Sequence, residues 1–120
     1  MFYKGDLEVF MNITFEDIAA LKKNWNGYDA DPISIATLTR VKEFYEESGI
    51  KPNFMAPTAR DTIQFECQDN LNYVEIEIYP RSFHIYIVDD KENWSYEGHF
   101  HYNSKYYEKV RKIIEFFSMT

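Results

Sequence analysis

The chain has 120 residues, of which 45% are hydrophobic and 18% aromatic, and a formal net charge of −7 at neutral pH. That length suits one domain with a real apolar core. The acidic balance speaks against nonspecific attachment to a phosphate backbone, which needs clustered Lys and Arg.

Residues 1–12 read as an N-terminal arm and residues 13–120 as a single α+β domain. The opening "MFYKGDLEVFM" has no long apolar run, so no secretory signal is expected there. Nowhere do eighteen apolar residues run together to span a membrane. The one cysteine, Cys67, can form neither an internal disulfide nor a CxxC zinc pair. A cytoplasmic location is expected on that ground.

The organised pattern begins at Ile13-Thr14-Phe15-Glu16-Asp17-Ile18. Thr14 is a candidate cap, and Ile13 can staple onto Ile18. This first helix is predicted to end at Asn24-Trp25-Asn26-Gly27, where Gly27 supplies a left-handed residue. In the corner that follows, Trp25 and Tyr28 are expected to fold onto the sheet, and Asp29 and Asp31 to bond backbone groups. A second helix is predicted after Pro32, capped by Ser34, with Ile35, Leu38, Val41, Phe44 and Tyr45 as its apolar stripe and Gly49 as its stop.

The period then changes from 3.6 to 2. Alternating runs in "TIQFEC", "YVEIEIY", "SFHIYIV" and "WSYEGHFHY" predict four half-buried strands. Their connections are short, which implies an antiparallel meander. Phe54 to Pro57 is a candidate fifth, edge strand. A last helix is predicted from about Ser104 to Phe117, with Tyr106, Tyr107, Val110, Ile113, Ile114 and Phe117 inward and Lys105, Lys109, Arg111 and Lys112 outward. The predicted class is α+β, with helices packed on one face of the sheet.

Parity tests the register. If Pro80-Arg81 is a two-residue turn, Ile78 faces Phe83, Ile76 faces Ile85 and Val74 faces Ile87. These pairs are all apolar, and a slip of one residue would swap the faces. Glu77 then faces His84, and Glu75 faces Tyr86. If Asp89 faces Trp94, His84 lies opposite His99. Glu77, His84 and His99 therefore form one cross-strand row on the open face, with Glu66, Tyr73, Glu75, Tyr86 and Glu97 around it.

Three chemistries fit such a face. It can be a solvated surface with a favourable Glu77–His84 pair. It can hold a divalent metal on His84, His99 and Glu77, although no pattern fixes a fourth ligand. It can be a docking face, since tyrosines among acids resemble a protein-binding patch. Enzyme signatures do not emerge. The four glycines are isolated, and there is no HExxH or GxSxG. Cys67 has core parity with Phe65, which suits a small core residue better than a nucleophile. Asp89-Asp90 sits where a hairpin needs turn formers.

The stretch "NWNGYDADPIS" resembles the W-(D/N)-G-Y-x-A-x-P-I-S signature of a set of small uncharacterised bacterial and phage proteins. The likeness runs on through "PNFMAPTARD", "TIQFEC" and "VEIEIY" to the last helix, over about residues 13–117. It departs at Asn26, where Asp is usual, at "TARD", where an Asp-Gly turn is more usual, and in the N-terminal arm. The resemblance implies a small accessory protein, often carried by mobile elements, with no catalytic residues to transfer; no cofactor is expected.

The expected function is a non-enzymatic acidic protein that inhibits or regulates a macromolecular partner, as anti-defence, antitoxin or immunity proteins do. The expected contact residues are Tyr73, Glu75, Glu77, His84, Tyr86, Glu97 and His99, with Asp89, Asp90 and Glu92 steering a basic protein such as a nucleic-acid-processing enzyme. Direct nucleic-acid and membrane contacts are not expected. A homodimer through the same face and metal binding by the His/Glu row are the alternatives.

Overall fold

A computed structural model of the chain describes residues 15–50, 52–68, 72–91 and 93–102, together with 105, 107, 108 and 110–112. Two helices, α1 (Phe15–Ala19) and α2 (Ile35–Ser48), precede five strands. The strands are β1 (Phe54–Thr58), β2 (Thr62–Gln68), β3 (Asn72–Ile78), β4 (Ser82–Asp89) and β5 (Trp94–His101). They form one antiparallel meander in the order β1-β2-β3-β4-β5. The described residues between 105 and 112 are helical. The predicted arm, Ile13, Thr14, Glu92, Tyr106, Lys109, Ile113, Ile114 and Phe117 lie outside the described residues.

The two-residue turn sets the register as its parity requires. The Tyr79 amide donates to the Ser82 carbonyl at 2.9 Å. Ile78 faces Phe83, Ile76 faces Ile85 and Val74 faces Ile87, and all six are buried. Phe44 of α2 stands over this face at 0% exposure. Its ring meets Phe65, Phe83, Tyr102 and Tyr107 edge-on, with centroids 5.4–6.4 Å apart. Edge-to-face geometry suits the ring quadrupoles. Tyr107 and Val110 are buried in the same core, so the C-terminal helical segment packs on the same side as α2.

The ends of α2 follow local chemistry. Ser34 Oγ accepts from the Thr37 amide at 3.2 Å, as an N-cap should. Asp61 reaches this end from the β1–β2 turn, where it takes a left-handed φ of 59°. Its Oδ1 accepts from the Ser34 amide and its carbonyl accepts from the Thr37 hydroxyl. Gly49 closes the helix at φ 69°. A side chain there would carry left-handed strain, so Gly49→Ala is expected to cost about 1 kcal/mol in chemical denaturation.

The N-terminal corner differs from its sequence prediction. The first helix stops at Ala19 and not at Asn24. Lys22, Lys23 and Asn24 offer no further apolar stripe, and a short helix without one gains little from packing. The segment from 24 to 31 instead bonds to itself. The Asn24 amide donates to the Ala30 carbonyl at 2.7 Å, and Asn24 Oδ1 accepts from the Asp29 amide. Asn26 Oδ1 accepts from the Tyr28 and Ala30 amides. So the two asparagines bond the backbone, whereas the Asp29 and Asp31 carboxylates pair with Lys23. Trp25 Nε1 donates to the Asp31 carbonyl. Tyr28 does not fold onto the sheet and is 89% exposed. Ile35 is likewise exposed, while Ile33 and Thr37 on either side of it are buried.

Trp94 and Tyr96 alternate with Ser95 and Glu97 along β5. They share the parity of the core face but remain 45% and 37% exposed. Strand β5 lies at the margin of the sheet, and of its residues only Phe100 packs against the core.

Candidate functional site

The face turned away from α2 carries two cross-strand rows. One runs Glu66–Glu75–Tyr86–Glu97 over β2 to β5. The other runs Gln64–Glu77–His84–His99. The register therefore brings together Tyr73, Glu75, Glu77, His84, Tyr86, Glu97 and His99 on one face. Two further predicted contacts behave differently. Asp89 has core parity and is buried at 6% exposure, so it does not steer a partner from the surface. Asp90, one residue on, is exposed in the turn.

Glu77 is a structural group more than a contact residue. Its side chain is 12% exposed. Oε2 accepts from Arg60 Nε and Nη2 at 3.0 and 2.9 Å, and from the Thr62 hydroxyl. The Thr58 and Thr62 hydroxyls are 2.6 Å apart. With the Thr62 proton given to Glu77, Thr58 is the donor of that pair. A guanidinium that gives two N–H bonds to one largely buried carboxylate oxygen makes a charge-assisted, oriented contact. Arg60 stands in the β1–β2 turn, far from Glu77 in sequence, which is why strand parity could not find it.

The histidines also have partners of their own. The His84 and His99 rings lie 5.6 Å apart. His84 Nε2 meets Glu97 Oε1 at 2.7 Å, and His99 Nε2 meets Ser82 Oγ at 2.8 Å. The row predicted as a metal alternative is present as a row, but its carboxylate is taken by Arg60. Among the described residues no group of three His, Cys, Asp or Glu side chains is placed to hold a metal ion.

The unusual feature is the Glu66–Glu75 pair. The two carboxylates sit directly opposite one another on neighbouring strands, where like charges repel. Partial burial and the Glu75 charge hold the Glu66 carboxyl above the usual carboxylate range, with the nearby Tyr73 hydroxyl acting the other way. The Tyr73 proton goes to Glu75 Oε2 at 2.8 Å. Burial and these acids push its own phenol up, so it stays a donor. Sequence parity placed Glu66 near this face but did not single it out, because the β2–β3 loop does not fix the register by its length.

A carboxyl whose pKa rises on folding costs stability when ionised. That cost is full at neutral pH and absent below the ordinary carboxylate value of about 4.3. Glu66→Gln is therefore expected to stabilise the fold at neutral pH, by less than about 1 kcal/mol given solvent screening. The gain should fade in denaturation curves as pH drops through the carboxylate range.

Cys67 is partly buried and packs against the core. Burial pushes its thiol up to about 11. It is protonated at neutral pH, which is the wrong state for a nucleophile. A concavity of about 470 Å³ lies on the helix side between α1, α2 and β1, walled mainly by Phe15, Val41, Tyr45, Phe54 and Phe65.

The fold and face thus define an α+β protein with its helices on one side of an antiparallel sheet and an acidic, tyrosine-bearing face on the other. No family model matches the chain, nor does any curated protein or solved structure. No helix among the described residues is long and apolar enough to cross a membrane.

Proposed function

We propose that this is a non-enzymatic acidic binding protein that inhibits or regulates a macromolecular partner through the open face of its sheet. The observation that carries the proposal is the Glu66–Glu75 pair, where two like charges face each other and one is partly buried. Evolved folds tend to violate such a local rule where function requires it. A cationic side chain from a partner would relieve the repulsion, turning a cost of the free protein into binding energy.

Tyr86 lies between Glu75 and Glu97 in the same row and is 37% exposed. A tyrosine among carboxylates suits an anchor that stacks on or bonds to a basic protein surface. The contact set is then Glu66, Tyr73, Glu75, Tyr86, Glu97, His84 and His99, with Asp90 at the rim. A nucleic-acid-processing enzyme is the favoured class of partner, because its phosphate-binding groove is basic and complementary to this face. Phage or mobile-element anti-defence proteins, antitoxins and immunity proteins act in this way, and the chain fits their size and charge.

The test is capture from host cytosol on the tagged protein, followed by elution with rising salt. A basic protein that elutes as salt rises supports the proposal, since exposed charge pairs are screened. A partner held equally at all salt concentrations, or captured equally by a Glu75→Lys/Tyr86→Ala variant, would remove the acidic face from the account.

A further inference from the structure

The strands at the two sides of the sheet are built differently. β1 is five residues long and contains Pro57, a residue that blocks further pairing. β5 is eight residues long, and its sequence WSYEGHFH has no Pro, Lys or Arg. Short length, proline and lysine are among the usual protections of an exposed edge; β5 has none of these three and carries one acidic residue, Glu97.

Among the described residues no strand lies beyond β5, and its backbone groups alternate in a known order. The Tyr79–Ser82 hydrogen bond makes 79 and 82 a bonded pair. Bonded and non-bonded pairs alternate along an antiparallel ladder, and each residue bonds to one side only. Ser82, His84, Tyr86 and Val88 therefore bond to β3, while Phe83, Ile85, Ile87 and Asp89 bond to β5. It follows that Trp94, Tyr96, Gly98 and Phe100 bond back to β4. Ser95, Glu97, His99 and His101 direct their amides and carbonyls outward, away from β4.

We propose that β5 pairs antiparallel with β5 of a second copy, about a twofold axis at Gly98. Residues opposite each other must point to the same face, so only a few registers are possible. An axis at Glu97 would set two carboxylates opposite one another, which is unfavourable. An axis at His99 would set two imidazoles opposite one another and carry the last pairs past His101, the end of the strand. An axis at Gly98 pairs Glu97 with His99 of the second copy, twice over. It also pairs Tyr96 with Phe100 and Ser95 with His101.

Two independent features favour this axis. The Phe100 ring and the Tyr96 hydroxyl already close over Gly98, so that a Cβ there would meet each of them at 2.9 Å. A glycine on the axis lets the two backbones approach with an aromatic on either side. Tyr96 and Trp94, exposed despite core parity and stacked at an interplanar angle of 10°, gain cover from the second copy. The dimer places both acidic faces on the same side of one continuous sheet. Its interface is the strand edge; it shares Glu97 and His99 with the contact set proposed for the partner and leaves Glu66, Glu75 and Tyr86 open.

Sedimentation equilibrium of the full chain across micromolar concentrations tests the proposal. The native chain is expected to show twice the chain mass. Glu97→Lys should shift it toward the monomer, raising the dimer Kd by roughly tenfold or more. Ser95→Pro, which removes an outward donor and leaves the β4 ladder intact, should do the same. Glu97→Lys combined with His99→Glu should restore the dimer, because the exchanged charges face each other only with the axis at Gly98. A native chain at monomer mass throughout would overturn the proposal. So would a dimer indifferent to Glu97→Lys and Ser95→Pro, or one that the charge exchange fails to restore.

Discussion

Phe44→Ala is expected to destabilise the fold by about 3–5 kcal/mol. The ring is fully buried, and α2, the sheet and the C-terminal helical segment meet around it. Truncation removes its transfer energy and leaves a cavity walled by Phe65, Phe83, Tyr102 and Tyr107. These are rigid rings on different elements, so the cavity collapses poorly and the cost sits at the high end for its type. Folds of this size have only about 5–15 kcal/mol in total, so the variant should be marginal at physiological temperature. Urea denaturation reads the effect as a large fall in midpoint at nearly constant slope. A shift worth less than about 1 kcal/mol would mean that the helices do not depend on this contact for their place on the sheet.

Glu75→Lys with Tyr86→Ala is expected to weaken partner binding by roughly a hundredfold or more. Loss of a central tyrosine alone is typically worth about 2 kcal/mol at an interface. The new lysine then meets a basic partner with like charge and also neutralises Glu66 across the strand pair. The fold itself should tolerate both changes. Tyr86 is exposed, and a cation opposite Glu66 relieves repulsion that the native chain carries. Loss of binding without loss of stability is the signature that separates a contact face from a structural one. A change at Glu77 would confound the two, because its carboxylate holds the β1–β2 turn through Arg60 and Thr62.

Strand pairing was readable from the sequence where a short turn met strict alternation. Pro80-Arg81 with Ile76, Ile78, Phe83 and Ile85 allowed one register, and that register is present. It also placed His84 opposite His99 and Glu75 opposite Tyr86 without any contact being known. Position on the open face was thus legible, whereas state was not. Glu77 and Glu75 have the same parity and the same neighbours in sequence, yet one is locked by an arginine seventeen residues upstream and the other is not. Asp89 resembled a turn acid because Asp90 follows it, but its parity was that of Ile87, and parity prevailed.

Local rules failed where tertiary geometry decided the outcome. The helical period ran through Ile35, but at this end of α2 it is Thr37, bonded to the Asp61 carbonyl, that is buried, and Ile35 is left in solvent. The first helix was predicted too long because Asn26-Gly27 is a strong stop signal, while the bonds of Asn24 already turn the chain before it.

The most direct measurement is parallel capture from host cytosol on the native protein and on the Glu75→Lys/Tyr86→Ala variant, with bound proteins identified by mass spectrometry. The account predicts one dominant basic partner on the native protein, released by moderate salt and absent from the variant. A partner retained equally by both proteins, or no partner on either, would contradict the claim that the open sheet face is the working surface of this molecule.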